Sequence, residues 1–588
     1  MRPLALVLLT LGISTVALAD WEPEDDIVIP PRFRLDGQAI GGAAPAPAAP
    51  AHLTASRIAA VGEGALAIDA DTGALLLTRA DGTLVARLDI GRDAGLLAYD
   101  AAAARAYIAD RRGDRLVVAR VGDGRLAQIA QWRTPAEPYA VALAPDGSEV
   151  LVATIADRLL IGYDARTGAE RRRVPLASEP RGLTVSPDGA RALVAYLATG
   201  FVDEVDLAGT VTHVALPALA RIHARGAFAA TFLGAHLAAV SFQRETPTPD
   251  PLREEAAGHY GGSFTPPITH HLAFLGARGV QVDAETEIHE PRALVWDGAH
   301  DALYEAGLGS EELVRIARAS QLDPAATAIA FGRGEACGAD GLAIAGERVL
   351  VWCSFSRSVI AIDKGKARRG AALVPSTLDA DRHAGLVLFH TADRDVSGFG
   401  GMACGNCHLD GRADGMSWRI GGRDLQTPML AGRLVGTAPF KWDGTAKDLP
   451  ASLRQTVDRL GGRGLDRRQV RELVAYLESL PAVRVPTRPP TAIARGRLLF
   501  ESPTLGCATC HDGEALTDRL VHRFGRDLAS DTPSLVGLAA SAPYFHDGSA
   551  ATLEALLRER ASVHGMAESA RQLRDDEIAD LVAFLETR

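Results

Sequence analysis

The sequence predicts a multidomain chain in which an all-β propeller of seven blades precedes two tandem all-α domains. Three observations lead there. The segment Glu137-Pro-Tyr-Ala-Val-Ala-Leu-Ala-Pro-Asp-Gly147 recurs as Glu179-Pro-Arg-Gly-Leu-Thr-Val-Ser-Pro-Asp-Gly189, among short apolar runs broken by turns. The pentad Cys404-Gly-Asn-Cys407-His408 recurs as Cys507-Ala-Thr-Cys510-His511. Downstream of each pentad an apolar stripe follows i, i+3, i+4, i+7: Val470, Leu473, Val474 and Leu477, then Ile578, Leu581, Val582 and Leu585. That spacing is the buried face of a helix.

The chain opens on Met1-Arg2-Pro3, runs through an apolar stretch from Leu4 to Leu18, and reaches Ala17-Leu18-Ala19 before Asp20. A basic start, a short apolar core and an Ala-x-Ala exit predict a cleavable export signal over 1–19; the run is short for a membrane anchor. No later segment reaches transmembrane length, so a periplasmic protein without a membrane span is expected. Residues 20–51 read as a linker, because the Gly, Ala and Pro of 41–50 leave little side chain to bury. The formal net charge of −11 argues against nucleic acid or an anionic membrane surface as partner.

Over 52–370, runs such as Arg115–Ala119, Glu149–Ala153 and Ala192–Tyr196 alternate with Asp-Gly, Thr-Gly and Gly-Asp turns, the pattern of short strands. A third, weaker copy of the repeat opens at Glu290-Pro-Arg. A period near 40 with four strands is that of a propeller blade, and this length holds seven of them. The pattern resembles that of YVTN-type propellers. An insertion from Phe242 to Leu275, with Pro247, Pro249, Pro251, His259, Tyr260, His270 and His271, interrupts the repeat. It is expected to be a loop, either a solvated excursion or a cover over a functional edge. His270 and His271 as metal ligands need partners that the sequence does not identify. Cys337 and Cys353 stand outside the pentads and are expected to pair in an oxidising compartment, a buried free thiol pair being the alternative.

In a C-x-x-C-H pentad two thiols can add across the vinyl groups of one haem, and the His is placed to ligate the iron. Two pentads imply two covalent haem c groups, attached at Cys404, Cys407, Cys507 and Cys510, with His408 and His511 as proximal iron ligands. A zinc site made from the two C-x-x-C pairs is the alternative. The pairs lie further apart than structural zinc sites keep theirs, and zinc leaves the two histidines unexplained. The duplication extends past the pentads, since Ala438-Pro-Phe-Lys-Trp-Asp-Gly444 matches Ala542-Pro-Tyr-Phe-His-Asp-Gly548. Cytochrome c domains are therefore expected over 376–485 and 486–588.

The two pentads, Ala542-Pro-Tyr-Phe-His-Asp-Gly-Ser549 with Thr552-Leu-Glu554, and Phe440-Lys-Trp-Asp-Gly444 make the C-terminal third similar to the bacterial di-haem cytochrome c peroxidase and MauG family. The resemblance implies two packed cytochrome c domains, one haem that transfers electrons and another with an open iron position for peroxide. It also implies an aromatic relay between them, by motif position Trp442; a plain core aromatic is the alternative for that residue. In the second unit Ser562-Val-His-Gly-Met566 offers His564 or Met566 as distal ligand, and a Met would raise the haem potential. His564 corresponds to Leu460 of the first unit, and leucine cannot coordinate iron. Met429, His383 and His390 are further candidates to reach the first iron. The family's peroxide-cleaving acid falls where this chain has Leu460-Gly-Gly-Arg463, with Asp458 and Arg463 the nearest polar substitutes.

Two function classes follow. One is a di-haem oxidoreductase, with an open first haem reducing peroxide or oxidising an organic or protein substrate and the second haem relaying electrons. The other is a non-catalytic electron-transfer cytochrome whose propeller is a docking module. Either would use a small redox protein as electron donor or acceptor. A quinone or metal cofactor in the propeller is a third option that no ligand cluster demands.

Overall fold

The computed structural model describes residues 34–35, 51–218, 222–247, 266–277, 279–322, 324–398, 401–523, 529–559 and 572–588. The export signal, most of the linker, Pro249, Pro251, His259, Tyr260, His564 and Met566 lie outside the described residues.

Each Ala/Ser-Pro-Asp-Gly end of the repeat closes a tight turn. Gly147 and Gly189 hold φ of 67° and 72°, and their N–H groups donate to Ala144 O and Ser186 O at 2.9 and 2.8 Å. Proline second and glycine last suit such turns, and the turns hold consecutive strands antiparallel. Seven sheets result, each built from consecutive strands, beginning at Ile58, Leu97, Pro138, Pro180, His223, Pro291 and Ala339. In the third blade the two inner strands, Pro138–Leu143 and Glu149–Thr154, are wholly buried, while the outer strand Glu170–Pro175 is largely exposed. Inner strands packed between neighbouring blades bury both faces, hence their continuous apolar runs. The chain forms a seven-bladed propeller. Its ring closes between the seventh and first blades, where Arg57 Nε donates to Asp340 Oδ2 at 2.9 Å.

Two segments add to the ring. Arg34–Leu35 pairs with the outer strand of the fifth blade. Residues 54–56 enter the axial channel, where Thr54 Oγ1 lies 2.8 Å from Thr184 Oγ1 and Ala55 N donates to Leu183 O at 3.0 Å.

At its two ends the segment 242–275, read as a loop, is strand in the fifth blade; residues 248–265 between them lie outside the described residues. Phe242 lies in the strand Leu237–Glu245, and His270 and His271 lie in the strand Ile268–Gly276. These nine-residue strands outlast the usual six of this propeller.

The C-terminal region is helical: α1 (Ala380–His390), α2 (Cys404–Cys407), α3 (Leu449–Arg459), α4 (Arg467–Ser479), α5 (Pro490–Phe500), α6 (Cys507–Cys510), α7 (Leu553–Glu559) and α8 (Asp575–Leu585). It repeats one plan twice. Helix α1 crosses α4, and α5 crosses α8, each at a glycine. A Cβ on Gly385 would lie 2.0 Å from Glu472 O, and one on Gly496 would lie 1.9 Å from Asp580 O, so both crossings need a residue without a side chain. Among the described residues no helix is long and apolar enough to cross a membrane.

Candidate haem sites

Both pentads fold as a single helical turn. His408 N donates to Cys404 O at 3.0 Å, and His511 N donates to Cys507 O at 3.1 Å. The turn brings the two thiols and the imidazole of each pentad to one side of the chain. All four pentad thiols are free, whereas Cys337 and Cys353 are joined by a disulfide. Burial, with the charge of Lys441, pushes His408 down to about 4, which leaves the neutral imidazole that a metal requires. His511 Nδ1 lies 3.0 Å from Leu516 O, the contact that orients a ligating ring. Free thiols in pairs, each next to a neutral, half-buried imidazole, fit covalent haem.

The surroundings of the two pentads differ. The first is pressed against the propeller. Gln243 Nε2 donates to Asn406 O at 2.7 Å, and a Cβ on Gly405 would lie 2.3 Å from Glu290 Oε1. Glu290 Oε2 in turn holds His390 Nδ1 at 2.7 Å. Asp410, two residues past His408, accepts from Arg181 Nε at 2.7 Å and from Arg292 Nη1 at 2.6 Å. Arg412 Nε lies 2.9 Å from Glu179 Oε2, and Arg412 Nη2 lies 3.3 Å from Glu137 Oε1. Burial pushes the Asp410 carboxyl up, but Arg292 and Arg181 outweigh it and hold it well below the carboxylate range. Glu137, Glu179 and Glu290, with Arg181 and Arg292, are the opening residues of the Glu-Pro-x repeat. The repeat therefore lines the propeller mouth with a socket for the loop after the first pentad. Sequence reading saw the repeat only as blade scaffolding; its Glu-Pro-Arg charge pattern was the available signal.

No residue of Cys507–Cys510 is buried, and Asp512, Gly513 and Glu514 beyond it are exposed. Cys510, Asp518 and His522 present ligand atoms within 4.8 Å of one another. His522 Nε2 is already 2.6 Å from Asp518 Oδ2, and Cys510 belongs to the pentad, so this group belongs to the surroundings of the second pentad.

The duplicated segments tie the two units together reciprocally. Gln426 N donates to His546 O at 2.6 Å, and Asp531 N donates to Trp442 O at 2.9 Å. Trp442 Nε1 also donates to Gln426 O at 2.7 Å. Beside it Lys441, at φ 70°, donates from Nζ to Thr456 Oγ1 of α3 at 2.6 Å, and burial pushes its amine down to about 8. Leu460 ends that helix. Met429 is buried and packs against Gly537 of the second unit; His383 Nε2 faces Phe355 O at 2.9 Å, and His390 is held by Glu290. Lys441 was not singled out from the sequence, although it stands between two residues that were.

A propeller joined to a duplicated haem-attachment fold defines the class: a c-type cytochrome region that binds haem c, carried behind a seven-bladed propeller. Residues 493–588 match the cytochrome c family. Three characterised relatives extend the likeness. The chain is 24% identical over 254 residues to hydrazine synthase subunit gamma of Kuenenia stuttgartiensis, covering 32% of this chain and 72% of that protein. It is 28% identical over 273 residues to methylamine utilization protein MauG of Methylorubrum extorquens, covering 34% and 76%. It is 25% identical over 283 residues to cytochrome c551 peroxidase of Nitrosomonas europaea, covering 37% and 81%.

Proposed function

We propose that this chain is a periplasmic oxidoreductase with two covalent haem c groups, in which electrons enter at the second pentad and peroxide reduction, or MauG-like oxidation of an organic or protein substrate, takes place at the first. The unequal packing of the pentads carries this reading: Gly405 and Asn406 of the first are buried against the propeller, whereas no residue of Cys507–Cys510 is buried. An exposed haem edge suits exchange with a small redox protein, and an enclosed one suits chemistry from which water must be excluded. The similarity to MauG and to a cytochrome c peroxidase supports the same division of labour.

When bound, haem supplies the redox chemistry; the chain supplies ligands, path and surroundings. His408 and His511 would hold the two irons from the proximal side. Trp442 spans from the first unit to the second and serves as the path between them. Leu460 would offer the first haem no further ligand, and His564 or Met566 would supply one to the second. Lys441 and Arg459 place positive charge near His408.

The absence of an acid over Leu460–Arg463 favours the second reading, a non-catalytic electron carrier, and one measurement separates the two. Electron paramagnetic resonance of the oxidised and half-reduced protein should show a high-spin ferric signal that peroxide alters, and Leu460→Met should convert it to low spin. Two low-spin irons in every redox state, indifferent to peroxide, would leave the electron carrier.

A further inference from the structure

His270 and His289 form a pair that neither the haem sites nor the blade scaffold uses. His270 is 3% exposed, and neither of its ring nitrogens has a hydrogen-bond partner among the described residues. His289 follows the strand Gly279–Thr286; its Nδ1 is likewise buried and unpartnered. The two ring centroids lie 5.1 Å apart with the planes at 85°. The adjacent His271 shows the contrast: Nε2 lies 2.9 Å from Thr269 Oγ1 and Nδ1 lies 3.2 Å from Asp283 Oδ1. In the same strand, one histidine is fully satisfied and its neighbour is left with two open nitrogens.

Buried ring nitrogens are costly to leave unpaired, and burial also pushes both His270 and His289 down, keeping them neutral and able to ligate. With metal–nitrogen bonds of about 2.1 Å and a tetrahedral angle, two imidazoles on one ion have centroids about 5 Å apart. The observed separation matches. We propose that His270 and His289 bind a divalent first-row transition ion of the zinc class, separate from the haem irons, with its remaining positions filled by water or an exogenous ligand. The place gives the ion a neighbour. A Cβ on Gly401, three residues before Cys404, would lie 3.7 Å from His289 Cε1, so the ion sits beside the loop that attaches the first haem. The proposal stands whether or not the first haem is catalytic.

Haem-loaded, tag-free protein stripped with a chelator and titrated with zinc chloride should take up one saturable equivalent beyond the haem irons. Zinc-edge X-ray absorption of the native protein should show imidazole scattering at about 2.0–2.1 Å. His270→Ala and His289→Ala should each weaken that uptake at least tenfold, with the haem absorption unchanged, and His300→Ala, at the surface, should not. Uptake absent from the native protein, or imidazole scattering absent at saturation, overturns the site even if the variants fail to fold. Uptake equal in His270→Ala, His289→Ala and parent shows adventitious surface binding and overturns it too.

Discussion

The ring of Trp442 lies 6.5 Å from the ring of His546 at an interplanar angle of 64°. These are equivalent positions of the duplicated Ala-Pro segment, so the two helical units meet through their own repeat, related by a local pseudo-twofold. The same symmetry sets Gly444 against Val521 and Gly548 against Ser417, where an added Cβ would lie 2.4 and 2.5 Å away. Isologous contacts of this kind arise when duplicated units pair, since each complementary patch is present twice.

Trp442→Phe keeps an aromatic ring but removes the hydrogen bond from Nε1 to Gln426 O, at a cost of about 1 kcal/mol. Trp442→Ala removes the ring as well. Electron equilibration between the two haems, followed by stopped-flow spectroscopy of half-reduced protein, should slow at least tenfold in the alanine variant and much less in the phenylalanine variant. Equal rates in all three would make Trp442 a packing residue.

Asp410→Asn leaves Arg181 and Arg292 facing one another without their shared carboxylate. Removing one partner from a buried ion cluster costs about 3 kcal/mol or more. Loss of a negative charge beside the first pentad also disfavours the oxidised iron. The first haem's midpoint potential should rise while the second stays put, as read by spectroelectrochemistry, and thermal unfolding should begin earlier.

Asp531 lies where the two units meet, and burial, reinforced by the nearby Asp518 charge, pushes its carboxyl up to about 7. A carboxyl raised in the folded state binds a proton there that the unfolded chain has already released. Its contribution is therefore present below about pH 4 and is lost as pH rises through 7. Asp531→Asn should flatten the dependence of melting temperature on pH across that window. A variant with the parent's slope would show that another group is responsible.

The disulfide between Cys337 and Cys353 closes a loop with a sequence separation of 16 in the seventh blade. Loops of about 15 residues lose about 3 kcal/mol of stability when opened, by the chain-entropy estimate. Replacing both cysteines by alanine should lower the denaturant midpoint accordingly, with haem content unchanged because the pentads use other thiols.

Blade number, the duplicated helical plan and the haem-attachment pentads were legible in the sequence because each is a local pattern. A period near 40 reports strands and turns, and a C-x-x-C-H pentad holds its thiols and imidazole within five residues. Tertiary structure alone decided what the patterns face. Glu137, Glu179 and Arg292 read as blade punctuation until the closed ring set them beneath Asp410 and Arg412, more than 100 positions away in the chain. His270 read as part of a loop until longer strands carried it beside His289. The pentads, already set apart in sequence by Leu460 against His564 or Met566, also differ in seating, because one packs against the propeller mouth and the other does not. Such pairings depend on which surfaces a folded domain presents to its neighbour, and no local periodicity encodes that.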